Sequence, residues 1–142
     1  MNPKQDAENL MNALLPVAET MLRQYGEFYP FGGYTKQDGT IVHLGATDDD
    51  TEHPKSRDVL YVLRSSLKDM ARSGECKAVA VAIDVSVTLP NSSMKSDAIQ
   101  VCIEHSGHYS VEVFLPYQLV ESKLVYGETF TQQGKIEIFA ET

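Results

Sequence analysis

Between residues 78 and 89 the chain reads Ala-Val-Ala-Val-Ala-Ile-Asp-Val-Ser-Val-Thr-Leu, a strict two-residue alternation that fits a β-strand and not a 3.6-residue helical period. One side carries Val79, Val81, Ile83, Val85, Val87 and Leu89, and the other carries Ala78, Ala80, Ala82, Asp84, Ser86 and Thr88. Two such unlike sides predict a central strand in a sheet that buries one face fully and leaves the other for something to approach.

The remaining pattern supplies its neighbours. Leu10, Leu14, Val17, Met21 and Tyr25, flanked by Met11, Leu15, Ala18 and Leu22, predict an amphipathic helix that Gly26 ends. Pro16 lies inside it, and a proline there predicts a kink or break near Asn12 to Leu15. Glu27 to Tyr34 reads as a strand that Pro30 and the Gly32-Gly33 pair confine to an edge or a bulge. Thr40 to Ala46 is its hairpin partner across the Asp38-Gly39 turn. A second helix runs from Pro54 to Ser73, with Val59, Leu60, Leu63, Leu67 and Met70 facing inward and Gly74 as its stop. After the central strand come a loop at Pro90 to Ser96 and a hairpin of Ala98 to Glu104 with Tyr109 to Tyr117 around Ser106-Gly107. A strand at Leu124 to Thr131, a turn at Gln133-Gly134 and a last strand at Lys135 to Ala140 complete the chain. The order is α-β-β-α-β-β-β-β, with a further strand at the end. It predicts an α+β fold, a two-layer sandwich with both helices on one face of a mostly antiparallel sheet.

Carried across the strands, the alternation groups Ile99, Val101, Ile103, Val111, Val113, Leu115, Ile136 and Ile138 beneath the helices. The opposite face then collects Ala80, Ala82, Ser86, Gln100, Cys102, Glu104, Glu112, Phe114 and Phe139. Phe114 and Phe139 make that face apolar, and its small residues leave room for another surface. The candidate contact residues for a protein partner or a second copy of the chain are therefore Phe114, Phe139, Cys102, Gln100 and Glu104. The competing reading is a solvated face on which the two rings cover the neighbouring alanines.

Length and charge narrow the classes. The 142 residues suit one domain spanning 1–142 that buries its own core. A formal charge of −8 with scattered Lys and Arg argues against a nucleic-acid backbone as ligand and is suited to steering a basic protein. No apolar run reaches the roughly 20 residues a bilayer span needs, and the first residues lack the apolar core of a signal peptide. No membrane partner and a cytoplasmic location are the expectation, with Cys76 and Cys102 as reduced thiols.

The motifs that carry chemistry are sparse. Asp48, Asp49, Asp50 and Glu52 form an acidic loop before the second helix. It lacks the glycine and distant Glu of an EF-hand, so it reads as a solvated complement to the helix N-terminus or as an acidic contact for a partner. His43, His53, His105 and His108 follow no metal-ligand spacing, and no Gly-x-Ser-x-Gly elbow or phosphate-cradling loop occurs. Phe28, Tyr29, Phe31 and Tyr34 are aromatic but have only Lys36 beside them, which favours core packing over base stacking. No catalytic residue, metal or cofactor is assigned. The alternative is a small enzyme or ligand-binding domain whose pocket lies between the first hairpin and the second helix, with Tyr34, His43 and Asp48 as its polar groups.

Gly26-Glu27-Phe28-Tyr29-Pro30-Phe31-Gly32, after an amphipathic helix and before Asp38-Gly39, resembles a group of small uncharacterised bacterial proteins with a similar Phe-Tyr-Pro-Phe segment. The resemblance covers the first third of the chain and implies no catalytic residue. Some small acidic α+β domains that this chain resembles serve as immunity proteins, which bind and block a toxin. That likeness implies a non-enzymatic binding role, of the immunity or adaptor type.

Overall fold

The computed structural model describes residues 2–45, 56–90 and 92–139. In chain order the elements are α1 (Pro3–Tyr25), β1 (Phe31–Lys36), β2 (Ile41–Gly45), α2 (Ser56–Arg72), β3 (Cys76–Thr88), β4 (Lys95–His105), β5 (Tyr109–Val120), β6 (Lys123–Tyr126) and β7 (Phe130–Gln133). This is the α+β order read from the sequence.

Local chemistry sets the helix ends. The Asn2 side chain accepts from the backbone N–H groups of Lys4 (3.0 Å) and Gln5 (3.3 Å), and Pro3 occupies the first turn, where its missing N–H is harmless. Gly26, at φ 77°, closes α1 by donating its N–H to the Leu22 carbonyl at 2.9 Å. Of the kink or break predicted near Asn12 to Leu15, the break does not occur: α1 stays helical throughout. Pro16 and Asn12 both lie on the exposed side, so the Asn12 carbonyl that loses its donor can be solvated.

The sheet runs β2-β1-β3-β4-β5, every pairing antiparallel, with β6 and β7 sharing the outer edge of β5. β1 is therefore an interior strand, not the edge its proline suggested. Pro30 falls just before the strand, so no ladder hydrogen bond is lost. The glycines allow close approach. A Cβ on Gly32 would run into the Ala80 carbonyl oxygen, and one on Gly33 would sit 2.8 Å from the Val42 oxygen and 3.1 Å from a Leu14 methyl. The bulge expected here is present, but further along, between Thr35 and Lys36.

The far edge departs from expectation twice. The single strand predicted at Leu124 to Thr131 is two strands interrupted at residues 127–129. There Gly127 donates to the Pro116 carbonyl at 2.8 Å and Pro116 has no N–H to return. The predicted strand at Lys135 to Ala140 is not formed over its described part, residues 135–139. Its backbone N–H groups point instead at the Glu104 carboxylate.

The helices lie on opposite faces of the sheet. Leu10, Leu14, Ala18 and Leu22 of α1 pack on Ala78, Ala80 and Ala82 of β3 with Ile99, Val101 and Ile103 of β4. Val59, Leu63 and Leu67 of α2 pack on Val79 and Val81 with Cys76 and Ile138. Successive β3 residues point to opposite sides, so the two helices sandwich the sheet between them, and the expectation of both on one face is corrected. The reason is register. Ala80 pairs with Ile103 and Ala82 with Val101, whereas Val79, Val81 and Ile83 pair with Glu104, Cys102 and Gln100. The alanines thus belong beneath α1, where small side chains seat a helix closely and the larger β4 residues fill beside them.

Candidate interaction face

α2 links β2 to β3 and covers β1 and the first half of β3. Among the described residues, no helix covers the same face beyond it. Val85 pairs with Ala98, which pairs in turn with Pro116; Val87 pairs with Ser96, and Ile83 with Gln100 opposite Phe114. Here the outer residues Val85, Val87 and Leu89 are only half-buried. Between the β3–β4 loop and the β6–β7 edge this surface dips into a cavity of about 420 Å³, with Leu89, Pro116, Val125 and Phe130 as apolar walls and Ser96 and Gln118 as polar ones. Val125 is 51% exposed, and Met94 in the loop above is 67% exposed. Glu128 is the acidic group on the rim. Tyr117 also borders the cavity, but its hydroxyl donates to Asp84 on the α1 side at 2.7 Å, and burial followed by that hydrogen bond pushes its pKa far above the usual range.

The register does bring Gln100, Cys102, Glu104, Glu112 and Phe114 to one face, as the alternation suggested, but separates them from Ala80 and Ala82. Two of the five proposed contact residues are enclosed. Phe114 is 7% exposed, because Phe130 stacks on it at 4.9 Å with planes 10° apart. Glu104 is 8% exposed and accepts from the backbone N–H groups of Glu137 (2.8 Å), Ile138 (2.9 Å) and Phe139 (3.3 Å). Burial raises its pKa, against those three donors. Gln100 donates to Glu112 at 2.8 Å, and half-buried Phe139 packs beside the α2 cluster. Burial pushes both thiols, Cys76 and Cys102, up to about 11, which keeps them protonated and unreactive at neutral pH.

The alternative pocket does not assemble. Gly33 pairs with His43 and Tyr34 with Val42, so His43 and Tyr34 point to opposite faces. His43 donates from Nε2 to the Ala13 carbonyl of α1 at 2.9 Å, and Tyr34 packs in the α2 cluster. His43 borders an apolar cavity of about 280 Å³, but that cavity lies against α1, walled by Val17 and Met21. Asp48, Asp49, Asp50 and Glu52 lie outside the described residues. Among the described residues no three His, Cys, Asp or Glu side chains converge as metal ligands, and no helix is long and apolar enough to cross a membrane.

One polar cluster has no counterpart in the sequence reading. The Gly107 N–H donates to His105 Nδ1 at 2.9 Å, which places the ring proton on Nε2, and Nε2 donates to Asp6 at 2.8 Å. Lys77 Nζ stands 3.5 Å from the other Asp6 oxygen. The pair has the form of a general-base dyad, yet the ring is 1% exposed and both nitrogens are engaged, so it fastens the start of α1 to the sheet. Burial opposes the Asp6 charge, and the His105 hydrogen bond and Lys77 outweigh it, holding the carboxyl below its ordinary 3.8. Its contribution to stability is therefore complete above pH 3.8 and is lost as the pH falls through the lower folded value. Asp6→Ala, which strands a buried Nε2–H, is expected to cost about 1–3 kcal/mol at pH 7 in urea unfolding. The difference from wild type narrows below pH 3.8; a difference that persists unchanged into acid would refute the assignment.

Against protein-family models, curated proteins and solved structures alike, the chain has no match.

Proposed function

We propose that this chain is a non-enzymatic cytoplasmic protein-binding module that holds a protein partner on the helix-free half of its α2 face. The carrying observation is the roughly 420 Å³ cavity walled by Leu89, Pro116, Val125 and Phe130, in which Val125 is exposed and Leu89 and Phe130 are only half-buried although a sheet face normally buries such side chains. The groups that would serve catalysis support the same reading, because His105, Asp6 and Glu104 are engaged in holding segments of the fold together. Two free thiols accord with a reducing compartment. The fitting partner has an apolar centre for the cavity and a basic rim for Glu128 and the −8 charge of the chain, which speeds its approach. An immunity-type or adaptor role is the biological form this takes.

The test is selection from a randomised peptide library displayed on phage, with counter-selection on the Val125→Asp variant. Enriched sequences are expected to combine a large apolar residue with Lys or Arg and to bind more weakly at high salt. Sequences that bind wild type and variant alike would overturn the site. A concentration-dependent dimer in light scattering, abolished by Val125→Asp, would replace the foreign partner with a second copy of the chain.

A further inference from the structure

The same face carries a second groove of opposite character. Arg57, Tyr61, Arg64 and Lys68 recur at intervals of four, three and four along α2 and so form one stripe beside its buried row. Residues 137–138, held by Glu104, make the facing wall and enclose about 380 Å³ floored by Leu60 and Ile138. The chain has only 12 Lys and Arg against 20 Asp and Glu, yet three of the 12 line this groove. Among the described residues their one acidic partner is Glu137, 4.0 Å from Arg64 in an exposed pair of little strength. Tyr61, 73% exposed, adds a ring face at the rim.

We infer that this groove is a docking site for an extended acidic segment of a partner protein, with carboxylates on Arg57, Arg64 and Lys68 and an apolar side chain on Leu60 and Ile138. Spacing supports this occupant. Along a helix rising 1.5 Å per residue, Arg64 and Lys68 stand about 6 Å apart, which matches the two-residue step between side chains on one side of an extended chain, and Arg57 lies about 10 Å from Arg64 to meet a carboxylate further along. Arg57 and Arg64 offer planar forks that take carboxylates two-handed. At physiological salt the screening length is about 8 Å, so a bound segment feels the three cations and the one carboxylate that line the groove more than the rest of the surface of this net −8 chain. A nucleic acid is the poorer occupant, because its longer run of phosphates extends beyond the three cations onto that surface.

The probe is a fluorescein-labelled peptide Glu-Glu-Leu-Glu-Glu-Leu-Glu, followed by anisotropy. Wild type is expected to bind it and to ignore the Lys-for-Glu counterpart. Arg57→Glu with Lys68→Glu is expected to weaken binding by at least about tenfold, or about 1.4 kcal/mol. The milder Arg57→Gln with Lys68→Gln weakens it partway and guards against a folding defect, checked by circular dichroism. Glu137→Gln removes the internal competitor for Arg64 and tightens binding, an effect a merely structural role would not produce. Absence of binding, equal affinity in the double variant, or tighter binding of a single-stranded oligonucleotide overturns the inference. Val125→Asp lies in the other cavity and leaves this binding unchanged, so each site fails or stands by itself.

Discussion

Replacing Gly32 with alanine is expected to destabilise the protein by about 3 kcal/mol or more and to lower its melting temperature by roughly 10 °C. The single added methyl would collide with the Ala80 carbonyl oxygen. Neither partner can give way easily. β1 is hydrogen-bonded on both sides, by β2 and β3, and β3 is fixed in turn by eleven register pairs to β4 beneath α1. Ala80 is fully buried in the α1 core, so its carbonyl cannot swing outward without disturbing Leu10 and Leu14. Gly45, on the edge strand β2, is the control, because a methyl there meets nothing within 4 Å. Gly45→Ala is expected to stay within about 0.5 kcal/mol of wild type. Paired thermal and urea melts decide the matter, and a Gly32→Ala protein that melts beside wild type would show that the strands do not need to approach so closely.

That collision also explains why some of the fold could be read directly and some could not. Within one strand, alternation is a local property, and the two sides of β3 were legible from residues 78–89 alone. So were the Asp38-Gly39 turn, where Thr40 N–H donates to the Asp38 carboxylate at 2.9 Å, and the stop at Gly74, whose φ is 77°. The side of the sheet taken by α2 was not legible, because it depends on the register between β3 and β4. A one-residue error there moved Ala80 and Ala82 from beneath α1 to the side of Cys102. Ile136, Ile138 and Phe139 carry enough apolar character to pass for a strand. What decides their conformation is a carboxylate more than thirty residues earlier, Glu104, which gathers the three N–H groups a sheet partner would have taken. His105 and Asp6 meet across 99 positions with no pattern joining them. The candidate face was legible as a set of β4 and β5 residues, but the side chains it leaves open are set by how far α2 and Phe130 reach.

Phe130 is what separates binding from folding on that face. Phe114→Asp is expected to unfold the protein, at a cost of about 4 kcal/mol or more, against a typical domain stability of 5–15 kcal/mol. The substitution deletes a ring stacked 4.9 Å from Phe130 and puts an unpaired carboxylate where only 7% of the residue meets water. Loss of the stack also weakens β7, because Phe114 and Phe130 are register partners and β7 is only four residues long. Val125→Asp differs in kind. Val125 is 51% exposed on the short β6 strand, so a charge there keeps its hydration and the cost is expected to stay near or below 1 kcal/mol. Yet Val125 is a wall of the cavity, and a carboxylate there forces an apolar partner group to be buried against a charge. Circular dichroism and the affinity of a library-selected peptide, measured on both variants, separate the two effects. The expected pattern is an unfolded Phe114→Asp beside a folded Val125→Asp that has lost the peptide. If Phe114→Asp stays folded and cooperative, then Phe130 does not cover it in solution, and the contact surface extends inward across β5 to Phe114 itself.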